Sequence, residues 1–161
     1  MAIEFKQVDY NDPKQAKELV ALLDNYAIDP MGGGEALSAD VKENLATALA
    51  TRPFAISLIA YVDGEPAGLA NCFEGFSTFK CKPLLNIHDL SVNPQFRGHG
   101  VGKALLGAVE EIANDRQCCK ITLEVLEGNK IALNAYKKFG FKAYELDPEA
   151  GQALFMEKKL C

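Results

Sequence analysis

Three glycines alternate at positions 98, 100 and 102, after a β-rich run and before an amphipathic helical pattern. A strand, a loop and a helix in this order indicate an α/β protein. Glycine carries no side chain, so the backbone N–H groups that open the helix stay accessible. Unpaired N–H groups and the helix dipole both favour an anion at this point. The segment from Arg97 to Lys103 therefore predicts a loop that cradles a phosphate or pyrophosphate.

The spacing of these glycines distinguishes between kinds of phosphate loop. A P-loop has the pattern G-x-x-x-x-G-K-[ST], but here Gly98 and Gly102 are one residue too close, and Ala104 stands where a magnesium-binding hydroxyl is needed. A Rossmann site has the pattern G-x-G-x-x-G after an early strand, whereas these glycines alternate strictly and lie past the middle of the chain. A nucleotide-phosphate binder of either fold is therefore disfavoured.

The segment is similar instead to the pattern [QR]-x-x-G-x-[GA] of the GNAT family of N-acetyltransferases, which is met at Arg97, Gly100 and Gly102. A second pattern of this family, N-x-x-A-x-x-x-Y-x-x-x-G-F, is met farther along the chain. Its fixed positions are Asn129, Ala132, Tyr136, Gly140 and Phe141. The two patterns cover residues from about 84 to 142, so the chain resembles the GNAT family over roughly its second half.

The resemblance implies that acetyl-CoA is the co-substrate, without a metal. The residues that it places against the pyrophosphate are Arg97, Gly98, His99, Gly100, Val101, Gly102 and Lys103. Most of these act through backbone N–H groups, while Arg97 and Lys103 add positive charge and the side chain of His99 is expected to be solvated. Strand backbone at Leu90 and Val92 is expected to pair with the pantetheine amides, where an N–H also serves the developing oxyanion. Asn129 is either a further pantetheine contact or only a helix cap.

Acyl transfer to an amine also needs a proton donor for the leaving thiolate and a base for the ammonium. The resemblance assigns the donor role to Tyr136, because a phenol with a pKa near ~10 is protonated at neutral pH; a core aromatic is the alternative. Three residues are candidates for the base: Asp89, His88 and Glu74. Strand alternation predicts that His88 and Asp89 face opposite ways, so only one of them points at the acceptor. A water relay without a dedicated base also remains open.

A glycine run after the first predicted helix is the candidate acceptor wall. In this family the segment that matches Asp29–Gly34 usually shapes the acceptor pocket, and three consecutive glycines allow movement at low cost. Asp29 and Gly33 are therefore expected to bind the substrate, with Asp29 meeting a cationic amine, and Glu74 is expected at the same pocket. The alternative is a surface connection with no ligand.

Composition limits the remaining choices. A chain of 161 residues fits a single domain, expected to span residues 1–161. The formal charge of −5 argues against nonspecific nucleic-acid binding. No apolar run reaches the roughly 20 residues of a membrane span, and the first residues lack a signal peptide's apolar core, so no membrane partner and a cytoplasmic location are expected. The five cysteines show no metal-type spacing and are expected to be reduced thiols. The oligomeric state stays open, a homodimer included.

Hydrophobic periodicity predicts a mixed α/β fold with seven strands and four helices. The predicted strands cover residues 2–8, 56–62, 66–73, 84–92, 120–125, 141–146 and 153–159. Asp12, Ser38 and Asn129 are predicted helix caps, Gly140 ends the last helix, and Asp63-Gly64 is a two-residue hairpin turn. The resemblance implies a mostly antiparallel central sheet, flanked by helices, whose fourth and fifth strands splay apart to admit the pantetheine arm.

The predicted function is transfer of the acetyl group of acetyl-CoA to a primary amine of a small molecule, amino acid or peptide, by direct attack in a ternary complex. The alternative is a non-catalytic acyl-CoA sensor or interaction domain on the same fold. Retention of Tyr136 favours the enzyme.

Overall fold

The computed structural model describes all 161 residues, which form two compact units, residues 1–123 and 124–161. The strands of the first unit are β1 (Ile3–Gln7), β2 (Ala55–Val62), β3 (Glu65–Ser77), β4 (Lys82–Val92) and β5 (Ile121–Leu123). Its helices are α1 (Pro13–Ile28), α2 (Ala39–Ala50) and α3 (Val101–Asp115). The second unit contains one helix, α4 (Lys130–Phe139).

The five strands form one sheet in the order β1-β2-β3-β4-β5. The first three pairings are antiparallel, and only β4 and β5 run parallel. A parallel pair needs a crossover, and α3 provides it. The predicted fold class, a mixed and mostly antiparallel sheet flanked by helices, is confirmed.

Strand β2 forms the centre of the core, since all eight of its residues are buried. Alternate side chains of a strand point to opposite faces, so a strand buried throughout is covered on both faces. On one face Ile59 and Tyr61 pack in a cluster with Leu19 and Leu22 of α1. On the other face α3 supplies the cover, through a buried stripe that consists of Val101, Leu105, Leu106, Val109 and Ala113.

Two predicted helix caps and the predicted hairpin turn form in the structure. The Asp12 side chain accepts hydrogen bonds from the N–H groups of Lys14 and Gln15, and Ser38 accepts one from Val41, so both are helix caps. Asp63 and Gly64 have φ values of 49° and 84°, which fits the type I′ turn that joins two hairpin strands.

The two parallel strands part early. Leu85, Asn86 and Ile87 of β4 pair with β5, but β4 then continues for five residues without a partner on that side. The fifth strand is thus shorter than the predicted range 120–125. The edge of β4 from position 88 to Val92 is left open on the side that faces β5.

The hairpin of β3 and β4 is longer than predicted. Pairing continues out to Ser77 and Lys82, and the four residues between them make the turn, with Cys81 at a φ of 52°. The predicted third strand ended at position 73, whereas the observed strand ends at Ser77. Phe76 and Phe79 at this tip are exposed.

In the second unit, the termini of α4 match the prediction and the segment after it does not. Gly140 has a φ of 115°, its N–H donates to the carbonyl of Lys137, and Phe141 N–H donates to that of Tyr136, which is a Schellman motif. The predicted closing hairpin of residues 141–146 and 153–159 is wrong: only an isolated bridge between Glu145 and Gln152 forms. Two strands alone are marginal in water, and a 3₁₀ turn at Pro148–Ala150 interrupts the pair.

The helices, the cysteines and the possible metal ligands bear on three of the remaining expectations. No helix is long and apolar enough to cross a bilayer. All five cysteines are free thiols, and Cys72 is the buried one. No three His, Cys, Asp or Glu side chains lie close enough together to hold a metal ion.

Candidate functional site

The glycine loop connects the end of β4 to the start of α3. A 3₁₀ turn at Pro94–Phe96 follows the strand, and Gly100 forms the N-cap of the helix. Gly98 and Gly100 both have a φ of 81°, a left-handed conformation that side chains disfavour. A Cβ added at either position would meet nothing within 4 Å. The glycines are therefore required by backbone conformation, and the space over them is open.

The N–H groups of this loop lack partners within the chain. From Gly98 to Lys103 no backbone N–H donates to an acceptor of the protein, and no side chain caps α3. Six consecutive donors at the N-terminus of a 15-residue helix make a site for an anion. The side chains of His99 and Lys103 are exposed at the same loop.

The side chain of Arg97 is directed to the neighbouring loop. Its Nε donates to the carbonyl of Val92 at 2.9 Å, and one terminal nitrogen contacts Oδ2 of Asp29 at 3.2 Å. Oδ1 of Asp29 accepts from the N–H of Met31 at 2.9 Å. That backbone bond, and then the Arg97 guanidinium, lower the pKa of Asp29. Arg97, which was predicted to bind acetyl-CoA, and Asp29, which was predicted to bind the acceptor, thus form an ion pair with each other.

The segment of residues 29–34 is a hydrogen-bonded turn. The N–H groups of Gly32 and Gly34 donate to the carbonyl of Asp29 at 2.8 and 3.0 Å. Gly33 and Gly34 have φ values of 119° and 78°. Gly32 is needed for another reason, because its Cβ would lie 1.9 Å from the carbonyl oxygen of Tyr26. Each of the three glycines therefore has a backbone role.

A β-bulge interrupts the pairing of β3 with β4. Asn71 pairs with Asp89, but the next residue of β3, Cys72, pairs with Ile87. His88 is therefore an extra residue on β4. Bulges of this kind change the direction of a side chain and are frequent beside functional sites.

The bulge places His88 and Asp89 on the same face of the sheet. Asp89 accepts a hydrogen bond from Asn71, and the His88 ring packs edge-on against Phe73, with ring centroids 5.6 Å apart. Asn71 and Phe73 are two residues apart on β3, so their side chains share a face, and Phe73 packs against the core cluster that includes α1. The prediction that His88 and Asp89 face opposite ways is wrong, because strand alternation holds only for an unbulged ladder.

Asp89 lies in a half-buried environment beside α1. Burial raises the pKa of the Tyr26 phenol, and the negative charges of Asp89 and Asp29 raise it further. Burial and then Asp89 raise the pKa of the Cys72 thiol to about 12. Asp89, Tyr26 and the turn at Asp29 therefore lie close enough to act on one another electrostatically.

The backbone of Leu90 and Val92 is turned toward the open edge of β4. The N–H of Asn93 donates to Ala67 of β3, so the alternate residues 90 and 92 direct their polar groups away from β3. The carbonyl of Val92 is the one that accepts from Arg97. The N–H groups at both positions face the side on which β5 has already ended.

Glu74 is not brought together with the other acceptor candidates. Its Oε1 accepts from Nε of Arg116 at 2.8 Å, and Arg116 is the C-cap of α3. The carboxylate is thus held on the α3 side of the sheet, whereas Asp89 lies on the α1 side.

The two remaining predicted residues belong to the second unit. Asn129 is the N-cap of α4, and its Oδ1 accepts from the N–H of Ala132 at 3.3 Å. Tyr136 is half-buried on α4, and its ring packs against Phe141 with centroids 6.0 Å apart.

The model of the Acetyltransferase (GNAT) family matches residues 21–141, about three quarters of the chain. The chain belongs to the GNAT acetyltransferase family. Its glycine loop, bulged β4 and α4 all lie inside the matched range.

Relatives within the GNAT family include thialysine N-epsilon-acetyltransferase of Bos taurus, which is 35% identical over 98 residues, or 55% of this chain and 56% of that protein. Glucosamine 6-phosphate N-acetyltransferase of Trypanosoma brucei brucei is 38% identical over 60 residues, or 37% of this chain and 39% of that one. The chain thus spans only about half the length of the first of these relatives.

Solved GNAT structures share the fold across the whole chain. The aminoglycoside acetyltransferase meta-AAC0020, from an uncultured soil metagenomic sample and in complex with trehalose, has a TM-score of 0.77 and 19% identity, with 99% of this chain and 97% of that chain covered. The enzyme AAC(6')-Iy, in complex with the bisubstrate analog CoA-S-monomethyl-acetylneamine, has a TM-score of 0.75 and 19% identity, with 99% of each chain covered. At such identities the likeness establishes the fold.

Sequence reasoning missed several residues around Asp89. Ser57 and Asn71 are the buried polar side chains of the protein, and Tyr10 and Tyr26 complete the surroundings. A signal was available for the first two, since a serine and an asparagine interrupt strands that are otherwise apolar. Tyr10 and Tyr26 lie far from Asp89 in the chain and carried no such signal.

A separate cavity of about 390 Å³ lies between α1 and α2. Its lining includes Tyr10, Lys17, Asp24 and Lys42, and the last two form an ion pair at 3.1 Å. None of the predicted site residues lines it.

Proposed function

We propose that the protein is an acetyl-CoA-dependent N-acetyltransferase that acetylates a primary amine of a small molecule, amino acid or peptide by direct attack in a ternary complex. Family membership supports the reaction class. The observation that carries the proposal is the row of six unpaired N–H groups from Gly98 to Lys103 at the start of α3. The family match includes parts of both units, so we treat residues 1–161 as one functional domain.

The loop fits the pyrophosphate of acetyl-CoA by its shape and its donors. The open space over Gly98 and Gly100 lets an anion approach the backbone closely. Recognition falls to N–H groups, with Lys103 and His99 exposed at the rim, because the Arg97 guanidinium is engaged by Val92 and Asp29. The free N–H groups of Leu90 and Val92 would pair with the amide-bearing pantetheine arm along the open edge of β4.

Bound acetyl-CoA supplies the acetyl group and a thiolate leaving group. In the proposed mechanism, Asp89 takes a proton from the acceptor ammonium, and exposed His88 is the second candidate for this step. A backbone N–H at Leu90 or Val92 stabilises the developing oxyanion. The neutral amine attacks the thioester carbonyl, so that a C–N bond forms and the C–S bond breaks. Tyr136 protonates the leaving thiolate and regains a proton that the new amide nitrogen releases.

The acceptor class follows from the face around Asp89. Asp89 and Asp29 contribute negative charge, and Tyr26 and Phe73 contribute aromatic surface. A cationic amine on a short apolar stem suits such a surface. Thialysine, glucosamine 6-phosphate and aminoglycosides, named for the relatives and structural neighbours, are amines and form the first acceptor panel.

A charge-matched pair of variants tests the cofactor loop. Gly100→Glu puts a carboxylate over the N–H groups, and a like charge near an anion costs between about 1 and 4 kcal/mol, so the Kd for coenzyme A should rise by roughly 5- to 900-fold. Gly107→Glu adds the same charge to α3 in open space, about 10 Å farther along the helix. At 0.15 M salt this distance exceeds the Debye length of about 8 Å, so the control should bind almost normally.

Titration calorimetry with coenzyme A measures both affinities. Wild-type affinity in a folded Gly100→Glu protein would refute the loop assignment. Thiol release from acetyl-CoA across the amine panel then tests the enzyme itself. Binding of coenzyme A without turnover on any amine would favour the sensor over the transferase.

A further inference from the structure

Ser57 and Asn71 are the only polar side chains buried in this protein, with 1% and 4% of their surface exposed. They lie opposite each other on β2 and β3. A buried hydroxyl or amide is unfavourable in an apolar core unless its hydrogen bonds are made. Two apolar side chains would pack these strands equally well. The presence of Ser57 and Asn71 instead indicates a role other than stability.

The two side chains belong to a directed series of hydrogen bonds that ends at Asp89. Ser57 Oγ donates to Oδ1 of Asn71 at 2.6 Å, and Nδ2 of Asn71 donates to Oδ2 of Asp89 at 3.0 Å. Because the Ser57 proton is already used, the Tyr10 hydroxyl is the donor in its 2.8 Å contact with Ser57 Oγ. Every donor from Tyr10 to Asp89 is thereby fixed.

This arrangement leaves the Asp89 carboxylate held on one side only. Asn71 cannot rotate its amide by half a turn without losing the bond to Ser57 and the bond to Asp89. Within the chain, no hydrogen bond other than that from Asn71 reaches the side chain of Asp89. Oδ2 is thus held and Oδ1 is available to a substrate.

We infer that Asn71, held in turn by Ser57 and Tyr10, is a positioning residue that sets the orientation of Asp89 toward the acceptor amine. This role rests on the proposed function, in which Asp89 takes the proton from the acceptor. The β-bulge at His88 places Asp89 opposite Asn71, and the hydrogen-bond series fixes the rotamer. Held geometry of this kind matters because a displacement of about 1 Å in a reacting group lowers a rate by as much as roughly 100-fold.

Few groups near Asp89 titrate in the working pH range. Tyr26 faces it from α1, His88 lies beside it on β4, and Asp29 lies in the turn after α1. Cys72 of β3 lies on the opposite face of the sheet, near enough to interact with the charge of Asp89. Burial raises the pKa values of Tyr26 and Cys72, so both are neutral near pH 7. Met31 N–H and Arg97 lower the pKa of Asp29, which stays charged.

Three single variants test the role by steady-state kinetics with acetyl-CoA and the best amine of the panel. Asn71→Leu removes the hydrogen bond to Asp89 while keeping the number and branching of the side-chain heavy atoms, and kcat should fall about 10- to 100-fold. Ser57→Ala is milder, loosens the amide, and should lower kcat several-fold. Cys72→Ala is the matched control: it trims the buried neighbour of Asn71 on the opposite face of the sheet, and should leave kcat within about twofold while costing comparable stability.

The division of the effect between kcat and KM separates positioning from structure. A misplaced carboxylate slows the chemical step, so Asn71→Leu should lower kcat with KM for acetyl-CoA nearly unchanged, whereas Cys72→Ala should change neither. The Kd for coenzyme A should be unchanged in all variants. If Asn71→Leu and Ser57→Ala both fold and retain the wild-type kcat, the positioning role is overturned.

Combination with Asp89→Asn separates this inference from the proposed base. If Asn71 acts through Asp89, the double variant Asp89→Asn/Asn71→Leu should be no slower than Asp89→Asn alone. Fully additive losses would overturn the positioning role and leave the base assignment standing. An Asp89→Asn protein with wild-type kcat would instead overturn the base assignment, and with it the positioning role.

Discussion

The turn at residues 29–34 provides a sharp test of the structure, because its three glycines are required for different reasons. An alanine at Gly32 would place its Cβ 1.9 Å from the carbonyl oxygen of Tyr26, more than an ångström inside the 3.0 Å that real Cβ contacts respect. The obstacle is backbone, so it cannot rotate away. Gly34, by contrast, has a φ of 78° and nothing within 4 Å of an added Cβ.

The two substitutions should therefore differ in cost. Gly34→Ala adds only the left-handed strain of an L-residue, about 1 kcal/mol. Gly32→Ala forces the turn away from α1, and overpacking that the backbone must absorb costs about 3 kcal/mol. In a domain of this size each kcal/mol lowers Tm by about 2–4 °C, so we expect losses of roughly 2–4 °C and 6–12 °C.

Thermal unfolding followed by circular dichroism measures both values. Steady-state kinetics on the same proteins then test the turn as an acceptor wall: Gly32→Ala should raise KM for the amine more than KM for acetyl-CoA, since it displaces Asp29 and Tyr26. Equal or larger destabilisation by Gly34→Ala would refute the packing of Gly32 against Tyr26. A change confined to acetyl-CoA would contradict the assignment of this turn to the acceptor.

Two other predictions concern single side chains. Tyr136→Phe keeps the ring that packs on Phe141 but removes the proton donor, so kcat should fall about 10²–10⁴-fold with unchanged affinity for coenzyme A; an unchanged kcat, with chemistry rate-limiting, would exclude the role. Asp24 accepts the N–H of Leu37 and pairs with Lys42, which lowers its pKa below the unfolded value of 3.8. Its stabilising effect is therefore complete above about pH 4 and is lost as the pH falls through the lower folded value. Asp24→Asn should flatten the acid limb of unfolding free energy against pH, and an unaltered limb would contradict this.

Features that depend on a few neighbouring residues were predictable from the sequence. Asp12 and Ser38 cap helices, Asp63 and Gly64 make a hairpin turn, and Gly140 ends α4, each through contacts a few residues away. The glycine loop is of the same kind, because its backbone donors follow from its own composition. Local chemistry determines such features before any tertiary contact forms.

Features that depend on pairing between distant segments were not predictable in this way. The bulge at His88 exists only in relation to β3, so the alternation of β4 alone predicted the wrong face for one of two neighbouring residues. The ion pair of Arg97 with Asp29 joins positions 68 residues apart. The prediction of a closing hairpin failed for a related reason. Residues 141–146 and 153–159 have the alternating pattern of strands, but a pattern does not supply the pairing partners that a strand needs.

The place of Arg97 in the family pattern predicts one role for its charge, whereas its contacts in the structure indicate another. In the pattern that identifies the family, a cation next to a glycine loop indicates a phosphate ligand. In the structure its guanidinium joins the carbonyl of Val92 to the carboxylate of Asp29, and so links the end of β4 to the turn after α1. The anion site retains its N–H groups whether or not Arg97 is charged, whereas the link requires a planar donor that reaches two acceptors at once. Arginine at this position is therefore better explained by the connection between the two loops than by charge toward a phosphate.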